Sequence, residues 1–254
     1  MKYFEELNFT AFEAVRQYFD ERFSHQNEDY VFRGQARKEW DLVSTLNRLI
    51  RNARRTGAKH SAIEPFVEKH LDRFKTEIKG RRGENPPKMS EDEYWALGQH
   101  YGLATPLLDW TNSPYIALFF AFASLEEEPE SYRCVWALNK RGIKEINSRI
   151  NNEENKLKFV IPETENNKRI ISQSGLFTKV PVMSSVNGWV EDYASSQYND
   201  YESALSKIVI EGNRGLRKEV LKHLELMNIK FSTIFPDLQG ASMYCNIKAE
   251  NYEI

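Results

Sequence analysis

Several features that identify large classes of protein are scarce in this sequence. It contains two cysteines, Cys134 and Cys245, which are too few for a disulfide framework or a zinc quartet. Its five histidines are scattered without the spacing of metal ligands. We therefore predict that the protein holds no metal ion and works in a reducing compartment, the cytoplasm. Cys134 lies in an apolar segment and is expected to be a small buried residue of the core.

The sequence also has no long hydrophobic run and no strong charge of either sign. Its longest apolar run, residues 116–123, is far shorter than the roughly 20 residues that cross a bilayer. Residues 1–10 include two glutamates and lack the apolar core of a signal peptide. The net charge is −2, so no overall attraction to nucleic acid or to a membrane surface is expected. We predict no membrane partner.

Gly-rich phosphate loops, nucleophile elbows, internal repeats and low-complexity linkers are absent as well. What is present is a mixture of helical and strand patterns without regular βαβ alternation, which predicts one α+β domain over residues 1–254. Residues 184–206 are polar and aromatic, and we interpret them as an insertion or an exposed loop. The predicted strands are residues 29–34, 134–138, 158–161, 176–182 and 207–211, and the main predicted helices are residues 46–79, 115–125 and 216–227.

The most informative segment is residues 98–114, which brings His, Tyr, Thr, Asp, Trp and Ser side chains together just before an apolar run. Ser113 and Pro114 have the residue types of a helix N-cap and of the first helical position. The helix that follows is apolar nearly all round, so it is expected to be central. Taken singly, Asp109, Thr111 and Ser113 are also explained by a turn and a cap. A turn needs only one or two such residues, and the larger cluster therefore indicates a functional loop.

These patterns predict how the centre of the fold is arranged. The strand that contains Phe32, Arg33 and Gly34 is expected near the middle of a split sheet, with the helix after Pro114 packed across it. Packed layers lie roughly 10 Å apart, so Arg33 and Asp109 should lie within about 15 Å of each other.

A basic segment, residues 48–82, has two possible interpretations. Arginine and lysine are frequent throughout it. The simpler interpretation is a solvated helix face. The alternative is contact with RNA or DNA through this segment, despite the acidic total charge.

Several motifs together resemble the FRG domain family, which is named for a Phe-Arg-Gly sequence. The resemblance covers about residues 30–245. Its central motifs are Phe32-Arg33-Gly34, His100-Tyr101-Gly102, Leu108-Asp109-Trp110-Thr111 and Ala117-Leu118-Phe119-Phe120-Ala121. Its C-terminal motifs are Gln173-Ser174-Gly175-Leu176-Phe177 and the segment from Ile234 to Gly240.

A more distant resemblance links the sequence to the ADP-ribosyltransferase-like fold. That resemblance implies a small, split, mixed or antiparallel sheet with flanking helices and a site for NAD or a related nucleotide. Arg33 would meet the pyrophosphate, because its planar fork suits phosphate oxygens. Tyr101 or Trp110 would stack on a flat ring. The resemblance implies binding roles for these residues: Arg33, Gly34, Gln35, Tyr101, Thr105, Trp110, Thr111, Ser113 and Gln173.

The sequence departs from the pattern of such enzymes at the catalytic glutamate. The strand expected to carry it, residues 176–182, contains no carboxylate. Asp109, Glu211 or Asp237 would have to take the place of the glutamate, and His100, Asp109 and Asp237 are the candidate catalytic residues.

Two hypotheses of different class follow. In the first, the protein is an ADP-ribosyltransferase-type enzyme, with a toxin or an anti-phage effector as the biological setting. In the second, it is a non-catalytic module that senses a nucleotide or a nucleic acid. The missing glutamate favours the second hypothesis, and the convergence of polar groups favours the first.

Overall fold

Seven strands form one mixed sheet in the computed structural model, which describes residues 5–25, 27–55, 63–124, 132–161, 175–194 and 204–250. Their order across the sheet is β1-β7-β4-β2-β3-β6-β5, in which β1 and β7 are parallel and the other neighbours are antiparallel. The α+β class is therefore confirmed. The strands are β1 (Glu5–Phe9), β2 (Tyr30–Gln35), β3 (Leu107–Thr111), β4 (Arg133–Asn139), β5 (Lys158–Val160), β6 (Gly175–Lys179) and β7 (Leu205–Ile210).

The sheet is larger than predicted, and it is opened at its centre rather than divided in two. Strand β2 pairs with β4 at six positions, and β3 pairs with β6 at five. Between β2 and β3, however, only Phe32 and Thr111 are paired. Beyond this pair the two strands diverge. The central position of the Phe32-Arg33-Gly34 strand was predicted correctly, and it places that strand at the edge of the opening.

One face of the sheet carries the largest apolar cluster. Helix α1 contributes Phe12, Val15, Phe19 and Phe23, which are all buried, as their helical spacing predicts. They pack with buried side chains of β2, β4 and β7 and of four further helices. The helices of this face are α1 (Phe12–Phe23), α5 (Pro114–Phe122), α8 (Arg214–Leu226), α9 (Phe231–Ile234) and α10 (Leu238–Glu250).

Two further groups of helices pack against the sheet, the first of them on its other face. Helices α6 (Lys140–Ser148) and α7 (Val186–Tyr193) pack near the centre of the sheet, with Trp136 and Trp189 in the shared cluster. Helices α2 (Thr45–Arg55), α3 (Ile63–Glu77) and α4 (Glu91–His100) form a second cluster with Leu107 and Phe177 of β3 and β6. No helix among the described residues is long and apolar enough to cross a membrane.

The helix boundaries near the polar cluster follow the residue types of their caps. The Ser90 side chain accepts a hydrogen bond from the Glu93 amide, and the Glu93 carboxylate accepts one from the Ser90 amide, so α4 begins with a capping box. The Ser113 hydroxyl accepts from the Ile116 amide, and Pro114 occupies the first position of α5. These caps therefore determine where the two helices on either side of strand β3 begin.

The segment 184–206 is not an exposed loop throughout, and its being an insertion stays a prediction. Its residues 186–193 form α7, and its last two residues lie in β7. Val186, Trp189 and Val190 recur at helical spacing and are buried, while the Ser185 hydroxyl caps the helix. The polar residues that follow these three apolar residues in the sequence led us to predict a loop. Residues 195–203 lie outside the described part of the chain.

The two cysteines have opposite environments. Cys134 is fully buried in β4, as expected, whereas Cys245 is exposed on α10. Burial raises the pKa of the Cys134 thiol to about 12. The thiol is therefore protonated at neutral pH and acts as a small apolar group of the core.

Candidate active site

A cavity of about 600 Å³ lies where β2 and β3 diverge. This volume is within the range of about 300–1,000 Å³ that is usual for small-molecule sites. Residues of β2 and β3 meet there with residues of α4, of α5 and of the segment between β2 and α2. The lining residues are Phe32, Arg33, Gly34, Gln35, Ala36, Trp40, Arg48, Ala96, Gln99, His100, Asp109, Trp110, Thr111, Phe120, Ser124, Leu176, Phe177 and Phe235.

The three residues Phe32, Arg33 and Gly34 have three different roles at the edge of this cavity. Phe32 is fully buried in the cluster that includes α5. Arg33 points to the opposite face of the sheet, since side chains alternate along a strand. A Cβ atom on Gly34 would lie 1.8 Å from the carbonyl oxygen of Ala117 in α5. Glycine at this position therefore allows α5 to lie directly against β2.

Arg33 connects the two diverging strands. Its Nη1 donates to the Asp109 carbonyl oxygen at 2.8 Å and lies 3.5 Å from Oδ2 of the Asp109 carboxylate. Its Nε is buried and has no hydrogen-bond partner. Burial lowers the pKa of the Arg33 guanidinium; the Asp109 charge opposes this shift, and the charge of Arg48 adds to it. The guanidinium groups of Arg33 and Arg48 thus share the cavity with one carboxylate, that of Asp109. The cavity therefore keeps a net positive charge, and the Arg33 Nε–H has no acceptor.

The Asp109 side chain is held in place but remains accessible. Gln99 Nε2 donates to Asp109 Oδ1 at 2.7 Å, and the Thr105 hydroxyl donates to the other end of the same amide. The Asp109 side chain is nevertheless 55% exposed, more than its position beside a buried tryptophan suggested. Among the described residues that line the cavity, Asp109 is the single carboxylate. It orients Arg33 and still has free surface for a ligand.

Comparison with known families identifies the part of the chain that forms this site. A sequence model of the FRG domain matches residues 28–130. The chain contains an FRG domain. The matched region runs from β2 to beyond α5 and supplies every cavity residue except Leu176, Phe177 and Phe235. The motifs after residue 130 that we assigned to the same family lie outside the match. No curated protein and no solved structure matches the chain.

The FRG domain brings seven of the predicted site residues to the cavity: Arg33, Gly34, Gln35, His100, Asp109, Trp110 and Thr111. Arg33 and Asp109 are in contact, well within the predicted distance. Gln35 lies at the inner end of the cavity, where its side chain accepts a hydrogen bond from Trp136 Nε1 and donates to the Asp41 carbonyl. Its amide is therefore already engaged with protein partners.

The remaining predicted residues are placed elsewhere. Tyr101 is largely exposed at the end of α4, with its ring against His100. Thr105 is fully buried and acts on the site through Gln99. Ser113 caps α5, and the Asp237 carboxylate accepts from the Gly240 amide at the start of α10. None of these four lines the cavity, and Thr105, Ser113 and Asp237 have local structural roles instead. Gln173 lies outside the described residues.

Sequence reasoning did not assign a site role to several residues that the fold brings to the cavity. Trp40 is 46% exposed at the cavity, and Arg48 projects into it from α2. Phe120, Phe177 and Phe235 come from three different elements. Gln99 lies within the polar segment 98–114 and could have been assigned from that position alone. Arg48 was grouped with the basic segment, where nothing in the local pattern distinguishes it from its neighbours.

The basic segment 48–82 is less uniform than its composition suggested. Helix α2 carries four arginines and no acidic residue. Helix α3 carries three basic residues but also four acidic ones. Within the described part of the segment, the net positive charge therefore lies on α2, beside the cavity, and on Lys79, Arg81 and Arg82 after α3. Contact with RNA or DNA through residues 48–82 stays a prediction.

Proposed function

We propose that the FRG domain binds a nucleotide in the cavity between β2 and β3, with NAD as the first candidate. The observation that carries this proposal is the largely buried Arg33 side chain, whose buried Nε has no hydrogen-bond partner while a second arginine, Arg48, lies close by. A buried donor without a partner costs about 1–3 kcal/mol. A phosphate group of a ligand would supply both the missing acceptor and the missing negative charge.

The other lining residues support a ligand that also has a flat ring. Trp40, Phe177 and Phe235 offer aromatic surface on the walls of the cavity. Such rings favour stacked or edge contacts with a planar partner. A nucleotide combines such a ring with phosphate groups and with ribose hydroxyl groups. The hydroxyl groups would donate to the Asp109 carboxylate and would exchange hydrogen bonds with the Gln99 amide. The concave shape and the mixed charge of α3 favour a small nucleotide over a polymer.

Substitution of Arg33 should weaken nucleotide binding without unfolding the protein. We expect Arg33→Ala to reduce the affinity for NAD by about 2–3 kcal/mol, roughly 30- to 150-fold, because a ligand phosphate would lose its buried counter-charge. Arg33→Lys should restore only part of the affinity, since an ammonium lacks the planar fork. Isothermal titration calorimetry with NAD, ADP-ribose and AMP measures these changes.

A control variant on α2, the helix that carries Arg48, distinguishes binding in the cavity from a general effect of positive charge on the affinity. Arg55→Ala removes an exposed arginine of α2 that does not line the cavity, so its affinity for NAD should match the wild type. The proposal is wrong if the wild-type protein binds none of the three nucleotides at millimolar concentration. Equal loss of affinity in Arg33→Ala and Arg55→Ala would place the binding site elsewhere.

A second candidate function, cleavage of the bond between ribose and nicotinamide, is favoured by the accessible Asp109 carboxylate. In this reaction the C1′–N bond breaks and its electron pair goes to the nicotinamide nitrogen. An acceptor oxygen or nitrogen forms the new bond to C1′ and gives up its proton, which His100 would take as a residue that lines the cavity. Asp109 would stabilise the positive charge that develops on the ribose, the role for which the expected glutamate is missing.

The carboxylate of Asp109 is tested by Asp109→Asn, which keeps its shape and removes its charge. We expect nicotinamide release from labelled NAD to fall by about 100-fold or more, with the affinity for NAD changed only a few-fold, because the lost interaction acts in the transition state. Asp237→Asn keeps a capping side chain on α10 and should leave the rate unchanged. Nucleotide binding without nicotinamide release by the wild type would instead favour the non-catalytic sensing module.

A further inference from the structure

A second cavity lies on the opposite side of α5 from the candidate active site. It is a groove of about 410 Å³ between α8 and α10, and it shares no lining residue with the first cavity. Neighbouring phenylalanines of α5 divide the two, since Phe119 lines the groove and Phe120 lines the candidate active site. The floor of the groove is apolar and contains Leu221, Phe231 and Ile247.

Lysine side chains surround this apolar floor. Lys218, Lys222, Lys230 and Lys248 all line the groove, and Glu225 is the single acidic residue among its described lining residues. Glu225 is neutralised locally, because its carboxylate accepts from Lys248 Nζ at 2.6 Å and from the Tyr244 hydroxyl at 2.5 Å. These hydrogen bonds hold the pKa of Glu225 below its usual value, so the carboxylate is ionised at neutral pH. The groove as a whole is positively charged.

The rim of the groove exposes apolar side chains. Leu226 is 82% exposed and lines the groove, and the next residue, Met227, is also exposed. A single exposed leucine is ordinary. Here, however, the exposed residues continue an apolar floor that is flanked by lysines. An apolar surface with a charged border is the usual composition of a protein-docking site.

We propose that this groove docks an acidic amphipathic helix of a partner protein. The two helices that form its walls, α8 and α10, are 13 residues long each, or about 20 Å, which matches three to four turns of a bound helix. Apolar side chains of the partner at positions i, i+3 and i+4 fill the space above Leu221 and Ile247. Its acidic residues lie opposite Lys222 and Lys230. The phosphates of a nucleic acid would find partners in these lysines, but a nucleic acid has no apolar side chains to fill the floor, which is why a peptide is the better match.

A peptide selection tests this docking surface with the full chain. The probe is a displayed library of random 14-residue peptides, and the peptides that it enriches are then synthesised and measured by fluorescence anisotropy. We expect the enriched sequences to be net acidic, with leucine, phenylalanine or tryptophan at helical spacing. Their affinity should fall by at least 10-fold for the double variant Lys222→Glu, Lys230→Glu, because each reversed charge now repels the peptide.

The matched control is Lys144→Glu, a charge reversal at an exposed position of α6 on the other face of the sheet. It should bind the selected peptides like the wild type, and circular dichroism checks that both variants are folded. The proposal is overturned if no acidic family is enriched, or if the double variant and the control bind equally well. The proposal is also overturned if dodecanoate binds in the groove and no selected peptide does. The occupant would then be a lipid.

Discussion

Replacing Gly34 with alanine is expected to destabilise the protein by more than about 3 kcal/mol, the upper end of the usual cost of overpacking a core. A Cβ at this position would lie 1.8 Å from the Ala117 carbonyl oxygen and 2.7 Å from the Ala121 amide nitrogen. Both obstacles are backbone atoms of α5, so no change of rotamer can relieve the contact. Strand β2 and helix α5 would have to separate, and α5 lies at the centre of the largest apolar cluster. Urea denaturation followed by circular dichroism measures the loss.

The control for Gly34→Ala is Gly215→Ala in the first turn of α8. A Cβ there would meet only the Asn213 side-chain oxygen at 3.4 Å, an ordinary contact distance. Alanine also favours a helix over glycine, by up to about 1 kcal/mol in a helix interior. The stability of Gly215→Ala should therefore stay the same or rise slightly. An unchanged urea midpoint for Gly34→Ala would mean that α5 does not lie against β2 as closely as the structure shows.

The sequence allowed the local elements around the site to be predicted because their signals are short-range. Ser113 and Pro114 mark the start of α5, and the apolar residues of that helix place it in the core. The closeness of Arg33 and Asp109 was also predicted, although we expected it from the packing of two layers, whereas the two residues lie on neighbouring strands of one sheet. The resemblance to the FRG domain depends on the same residues.

The composition of the cavity could not be predicted in the same way. Phe235 is far from β2 in sequence, and the positions of Trp40 and Arg48 depend on how the segment after β2 and helix α2 pack. The same limit explains the residues that were assigned to the site but serve the fold. A buried threonine and a helix cap, such as Thr105 and Ser113, have the residue types of ligand-binding groups. Only the direction of each side chain separates the two roles.

Trp110→Ala should destabilise the protein by about 3–5 kcal/mol, the cost expected for removing a buried aromatic side chain. Trp110 is 3% exposed and packs with Leu108 and Leu176 in the central cluster. Its indole Nε1 donates to the Thr178 hydroxyl at 2.8 Å across the β3–β6 pair. Truncation would thus leave a cavity and also remove one hydrogen bond that joins two strands. Guanidinium chloride denaturation measures the change in the free energy of unfolding.

Two further tryptophan variants separate the core role from a ligand-binding role. Trp110→Phe keeps a ring in the cluster and loses the donor to Thr178, so it should cost only about 1–2 kcal/mol of stability. Trp40→Ala removes a half-exposed ring and should cost less than about 1 kcal/mol of stability, yet it should weaken nucleotide binding by about 5- to 10-fold through the loss of stacking. If Trp110→Ala proves as stable as Trp40→Ala, the indole of Trp110 is not part of the core. The aromatic walls of the cavity would then need to be assigned again, because Trp110 also lines the cavity between β2 and β3.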